Sequence, residues 1–326
     1  MLDLVMLVGG GILLYFGAEW LVGGAAGLAR SVGVSALLVG LTVVAYGTSM
    51  PEVIVGVSAA YRGHGEIALG NVLGSNIANI ALILGTAALV HPTPVSGLLR
   101  GREVPVLLVT AMLVPLVLID GDVQWWEGAA LLAGAAGYTL WMLRASRAEM
   151  TAAAEAAHVT AEAADTAGAP STKGSRPRLA ALALAGLVVL MIGGQLLVEG
   201  ATGIARAMGI SERIVGLTIV AIGTSLPELA TSVIAAVRGH SEIAIGNVVG
   251  SNIFNVLLCL GAAGVAGSVG APIASIALDL AMMVGLTLVA AFLLRTERRI
   301  TRIEGGVLVT LYVAFLATVV LLPPLG

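Results

Sequence analysis

The sequence predicts an all-α polytopic membrane protein of ten transmembrane helices, arranged as two inverted five-helix repeats. Three observations carry this. Of 326 residues, 58% are hydrophobic and 11% charged, whereas soluble domains carry about 25% charged residues. Apolar runs of spanning length, about 20 residues each, recur along the whole chain. Residues 40–85 return at 216–261 without a gap, with 30 of 46 positions identical. Backbone groups inside a bilayer must satisfy one another, so the spans are expected to be helices.

In chain order the spans fall at about 3–29, 35–61, 66–90, 102–119 and 125–144, then 179–205, 211–237, 242–267, 272–294 and 303–323. The first run, Leu4 to Ala29, is too long for the apolar part of a leader peptide and follows no basic residues, so it reads as a span. Ser146 to Pro177 is the one long polar stretch. Its Ala- and Glu-rich start can prolong a helix, and its end, AGAPSTKGSRPR, reads as a flexible linker. The expected organisation is a first repeat over 1–145, a linker over 146–178 and a second repeat over 179–326.

Of the 16 Lys and Arg residues, only Arg62, Arg206 and Arg213 fall on one side of this layout. The other 13, Arg30, Arg102, Lys173 and Arg299 among them, fall in the alternate connections. Positive charge marks the cytoplasmic side. The linker is therefore expected inside and both termini outside, in a prokaryotic cell (inner) membrane. Five spans per copy is an odd number, so the second copy enters with opposite polarity. The matched Arg30 and Arg206 accordingly fall on opposite sides. Inverted repeats are a transporter design with the substrate site at the midplane between the copies.

Each copy holds one carboxylate in an apolar run, Glu52 or Glu228, and an ionisable residue at that depth is expensive enough to imply function. In Ala45-Tyr46-Gly47-Thr48-Ser49-Met50-Pro51-Glu52, Pro51 lacks an amide hydrogen and Gly47 weakens the helix. A break is expected here, freeing carbonyls near Ala45 and Thr48 beside the Thr48 and Ser49 hydroxyls. Ala221, Thr224, Ser225, Pro227 and Glu228 repeat the arrangement. In the next span Asn71, Ser75 and Asn79 share a helical face, as do Asn247, Ser251 and Asn255. Gly70, Gly74, Gly246 and Gly250 are expected to let helices approach closely. The donors are all hard oxygens with no histidine or thiolate among them, which disfavours zinc and copper. Two carboxylates with neutral oxygens suit Ca²⁺, which takes six to eight oxygen ligands. The same two charges balance two Na⁺.

The motif G-T-S-x-P-E followed by G-N-x-x-G-S-N-I-x-N occurs at 47–52 with 70–79 and at 223–228 with 246–255. In these motifs the chain resembles the cation/calcium exchanger superfamily, in its sodium/calcium exchanger branch. The resemblance implies that Glu52 and Glu228 bridge Ca²⁺ and Na⁺ sites. It places further ligands at Thr48, Ser49 and the Ala45 carbonyl, and at Thr224, Ser225 and Ala221. It also assigns Ser75 and Ser251, and Asn79 and Asn255. Asn rather than Asp at the last two argues against K⁺ co-transport. The G-N-A-x-E pattern of the proton-coupled branch is absent.

The expected function is Na⁺/Ca²⁺ antiport by alternating access. The alternatives are a H⁺-coupled Ca²⁺ antiporter, with Glu52 and Glu228 carrying protons, and a cation channel, which needs a continuous pore. No enzyme is expected: there is no H-E-x-x-H and no Walker motif. No cofactor is expected either, and the partners are the transported ions and the bilayer, without nucleic acid. Cys259 reads as a small helix residue, and Glu19, Glu199 and Asp279 as helix-end or water-facing residues. His64 and His240 read as parts of matched short turns, with pH sensing as the minority reading.

Overall fold

In the computed structural model, which describes residues 1–162, 175–209, 221–296 and 299–321, each expected span coincides with helix over the described residues. The first copy runs α1 (Leu2–Val32), α2 (Ala36–Thr48), α3 (Met50–Tyr61), α4 (Gly65–Val90), β1 (Thr93–Pro94), α5 (Val104–Val117), β2 (Asp122–Val123) and α6 (Trp125–Glu162). The second runs α7 (Arg176–Ala207), α8 (Ala221–Gly223), α9 (Leu226–Val237), α10 (Ser241–Ala266), β3 (Val269–Gly270), α11 (Ile273–Thr296), β4 (Arg299–Ile300) and α12 (Arg302–Leu321). Among the described residues six helices are long and apolar enough to cross a membrane, and α2 with α3, bent by 42°, makes a seventh. Helices α5, α6 and α9 stand at the other three expected places. Helix occupies both ends of the stretch read as a linker, because α6 continues to Glu162 and α7 starts at Arg176. The rest of that stretch, and the start of the seventh span at 210–220, lie outside the described residues.

Burial separates an inner pair from an outer shell. In α4 and α10, 78% and 83% of the most apolar window is buried, against 22–33% for α1, α7, α11 and α12. The outer helices therefore turn apolar side chains outward, as lipid-facing helices must. Helices α1 and α7 lie directly on each other. Gly10 meets Gly193, Gly17 meets Gly186, Gly24 lies against Leu179 and Ala183, and Gly200 lies against Asp3 and Leu7; a Cβ at any of the six would come within 2.7 Å of the opposite backbone. Only small residues allow that approach.

The two copies are tied by exchange. β1 of the first pairs antiparallel with β4 of the second, Thr93 opposite Ile300, and β2 pairs with β3, Val123 opposite Val269. Gly128 of α6 meets the Gly261 carbonyl, while Gly305 of α12 meets that of Gly85. Both α4 and α10 widen into a π-turn, at Asn79–Leu84 and Asn255–Leu260. Such turns free backbone groups and cluster at functional sites.

Candidate functional site

The two helix breaks meet in the interior. Ser49 (φ −82°, ψ 2°) separates α2 from α3, and Ser225 (φ −90°, ψ 7°) precedes α9. Pro51 and Pro227 follow in the first turn of the next helix, where a missing amide hydrogen costs nothing. This places Glu52 and Glu228 in the first turns of α3 and α9, each only 1% exposed. The hydroxyls are then exchanged between copies. Ser49 donates to Glu228 Oε1 at 3.3 Å, and Ser225 donates to Glu52 Oε1 at 3.2 Å. The second oxygen of each carboxylate, Oε2, is buried without a hydrogen-bond partner. Leaving such atoms unmet costs free energy unless something else fills the place.

Helices α4 and α10 supply the remaining polar groups. Asn71 donates its amide to the Glu52 backbone carbonyl at 3.1 Å, and Asn247 to that of Glu228 at 3.4 Å. These two brace the broken spans. Thr48 donates to Asn247 Oδ1 at 3.2 Å. Ser75 lies 3.4 Å from the Ser225 hydroxyl. Asn79 and Asn255 open the two π-turns, and Asn79 Oδ1 and Ser251 Oγ are buried without partners. The carbonyl expected to be free at Ala45 is not, since it accepts the Ser49 amide at 3.1 Å. A carbonyl has a second lone pair, so that atom keeps acceptor capacity. Thr224 lines a cavity of about 640 Å³ between α7, α3 and the second break. Ala221 begins the described part of the second broken span.

No group of three or more His, Cys, Asp or Glu side chains able to hold a metal occurs among the described residues. A cation here would have to be held by two carboxylates and neutral oxygens together, a donor set for a hard ion.

The other candidates sort clearly. Glu19 is not at a helix end: it lies well inside α1, paired with Arg238 at 2.5 Å. Glu199 is exposed and accepts from Gln195 at 3.0 Å. Asp279 is half-buried in α11. His64 and His240 sit at the start of α4 and α10 without capping through their side chains. Burial, and next the Arg30 charge, hold His240 below its usual imidazole value. Of the four glycines expected to bring helices close, Gly246 and Gly250 do. A Cβ at Gly250 would lie 2.8 Å from Ala45 Cβ and from the Leu41 carbonyl; the equivalent partners expected for Gly70 and Gly74, at 213–220, lie outside the described residues.

Three features escaped the sequence reading. Cys259 is more than a small helix residue: its thiol lies 3.4 Å from Asn255 Oδ1 and 3.9 Å from the Ser49 carbonyl. Thr231 and Ser232 are fully buried behind Glu228, where the first copy has Val55 and Gly56. Their polarity against those apolar counterparts was the available signal. Glu103, 0% exposed, is paired with Arg102 at 2.6 Å and accepts from the Tyr138 hydroxyl. It stands beside Arg102 at a span boundary, where sequence gives no sign of burial.

The sodium/calcium exchanger protein family model matches residues 2–144 and 178–321. The chain is 38% identical to the inner membrane protein YrbG of Escherichia coli, over 80% of this chain and 79% of that one. It is 30% identical to the sodium/calcium exchanger MaX1 of Methanosarcina acetivorans, over 96% and 97% of the two chains. Among solved structures it superposes on the sodium-calcium exchanger NCX_Mj, soaked with Na⁺ and Ca²⁺, with a TM-score of 0.82 and 31% identity over 98% of each chain.

Proposed function

Starting from the fact that this chain is a member of the sodium/calcium exchanger family and an integral membrane transporter of that type, we propose that it exchanges Na⁺ for Ca²⁺ by alternating access at one site. The observation that carries the reading is the reciprocal exchange of Ser49 and Ser225 onto the opposite copy's carboxylate, with Oε2 of both Glu52 and Glu228 left facing no partner. Two negative charges match one Ca²⁺ or two Na⁺, so the two ions compete for one balance of charge. The ligands in this reading are Glu52, Glu228, the hydroxyls of Thr48, Ser49, Ser75, Thr224, Ser225 and Ser251, the amide oxygens of Asn79 and Asn255, and the carbonyls of Ala45 and Ala221. Alternating access draws support from the duplicated copies meeting at one site, since a pseudo-symmetric pair can exchange roles, and from the cavity of about 640 Å³ that borders Thr224 between α7 and α3.

The test is Ca²⁺ efflux from proteoliposomes against external Na⁺, Li⁺, K⁺ or a pH gradient. Efflux that follows Na⁺ alone supports the proposal. Efflux that follows pH and ignores Na⁺ replaces it with proton coupling, in which the same two carboxylates carry the exchanged ion.

A further inference from the structure

One half of the ion site is bolted to α6, and the other half is not. Tyr46 follows Ala45 at the first break, and Phe254 precedes Asn255 at the second copy's π-turn. Their rings pack with centroids 3.9 Å apart. The Tyr46 hydroxyl lies 2.6 Å from the Thr139 hydroxyl of α6. The Phe254 ring also meets Tyr138 of α6, with centroids 5.8 Å apart. Tyr138 in turn donates to the buried Glu103, which Arg102 neutralises. The Arg102 guanidinium stacks over Trp141, 5.3 Å from the ring centre.

The sister positions lack the two hydroxyls, the paired rings and the ion pair. At the offset of 176, Tyr46 corresponds to Ile222, Phe254 to Ala78 and Glu103 to Asp279. Superposing Gly128 on Gly305, which make matching contacts with Gly261 and Gly85, sets Tyr138 against Phe315 and Thr139 against Leu316. Asp279 makes no described hydrogen bond or ion pair, and neither Ile222 nor Ala78 offers a ring. The same fold position thus carries a hydroxyl-anchored aromatic stack in one orientation and, in the other, apolar side chains without a described hydroxyl anchor.

We propose that the Tyr46–Phe254 stack, held by Thr139 and by the Tyr138–Glu103–Arg102 chain, is a positioning device that favours the conformation closed toward the Arg102 end of the bundle. It clamps α2 to α10 on that side of the ion site, so opening there must break the aromatic stack and pull on the Tyr46–Thr139 or Phe254–Tyr138 contact with α6. Opening on the other side breaks none of these. The two faces of the protein then differ in the fraction of molecules ready to bind, and apparent affinity scales with that fraction. The inference rests on the alternating-access reading above and adds to it a cause for unequal faces.

The test is ⁴⁵Ca²⁺ self-exchange in right-side-out and everted membrane vesicles, which present opposite faces and need no coupling ion. The readout is the apparent KM for Ca²⁺ at each face. Phe254→Leu and Tyr138→Phe are expected to move the two KM values in opposite directions, changing their ratio at least about threefold from wild type. Phe254→Tyr keeps the ring and is expected to keep the wild-type ratio. Tyr46→Phe removes a single hydroxyl and gives the same readout if the larger changes fail to fold. A ratio unchanged in Tyr46→Phe and in every folded variant, or two KM values that rise together, overturns the clamp and leaves the exchanger reading intact. Wild-type vesicles without self-exchange overturn the exchanger reading itself.

Discussion

Asn79 and Asn255 share a motif position in the two copies, but Asn79 Oδ1 is unpartnered among the described residues while Asn255 Oδ1 meets the Cys259 thiol. Ile83 stands where a second thiol would be. Glu52 and Glu228 remain closely alike, equally buried, each bonded to the other copy's serine and each with a free Oε2, and Asn71 and Asn247 brace their carbonyls alike. The lesson is that the duplicated motif fixes the charges and the helix breaks, while the residues around it decide what each copy does with them.

The largest effect is expected where the copies agree. Glu52→Gln and Glu228→Gln should each reduce Ca²⁺ transport by about 100-fold or more, because a buried charge facing a divalent ion is worth several kcal/mol. Flux measurements on folded, purified protein check this. Unequal losses would mean that the carboxylates have separate roles.

A packing glycine comes next. Gly250→Ala places a Cβ against Ala45 and the Leu41 carbonyl, and overpacking of that kind costs about 1–3 kcal/mol. Its thermal stability in detergent should fall. An unchanged Tm would mean that α10 is not held against α2 at Gly250.

Asn79 and Asn255 should part company. Asn79→Ala removes an oxygen free to meet a cation, and bonds to charged groups are worth about 1.5–3 kcal/mol. Its KM for Ca²⁺ should rise about tenfold or more. Cys259→Ala removes only a weak donor to Asn255, and its KM should change by about twofold. Equal effects would show that the thiol contact does not separate the two amides.

Much of this was legible in the sequence. The broken spans at Pro51 and Pro227, the paired carboxylates and the polar faces of α4 and α10 follow from local chemistry and from the repeat. The hydroxyl exchange between Ser49 and Glu228 did not show, because it depends on how two segments 179 residues apart are laid against each other. Glu103 was invisible for a related reason. A charged pair at a span boundary reads as solvated, and only the approach of Tyr138 from α6 buries it. The symmetry of the motif also predicted close packing at the glycines, which Gly246 and Gly250 show against α2.

The smallest effect concerns the matched histidines. His240 is held below the usual value of 6.5 by burial and by Arg30, so near that pH the unfolded chain binds more protons than the folded one. Its stabilising contribution is complete above pH 6.5 and is lost as pH falls through the lower folded value. His240→Gln should therefore show a smaller drop in Tm than wild type on going from neutral to acidic buffer. An identical drop would mean that other groups set the acid response.

The central claim is that the two copies build one cation site rather than two. Equilibrium ⁴⁵Ca²⁺ binding to the purified chain, without Na⁺, tests it most directly. One Ca²⁺ per chain is expected for wild type, with binding abolished in Glu52→Gln and in Glu228→Gln alike. Two Ca²⁺ per chain in wild type, or one retained by each single variant, would contradict a shared site.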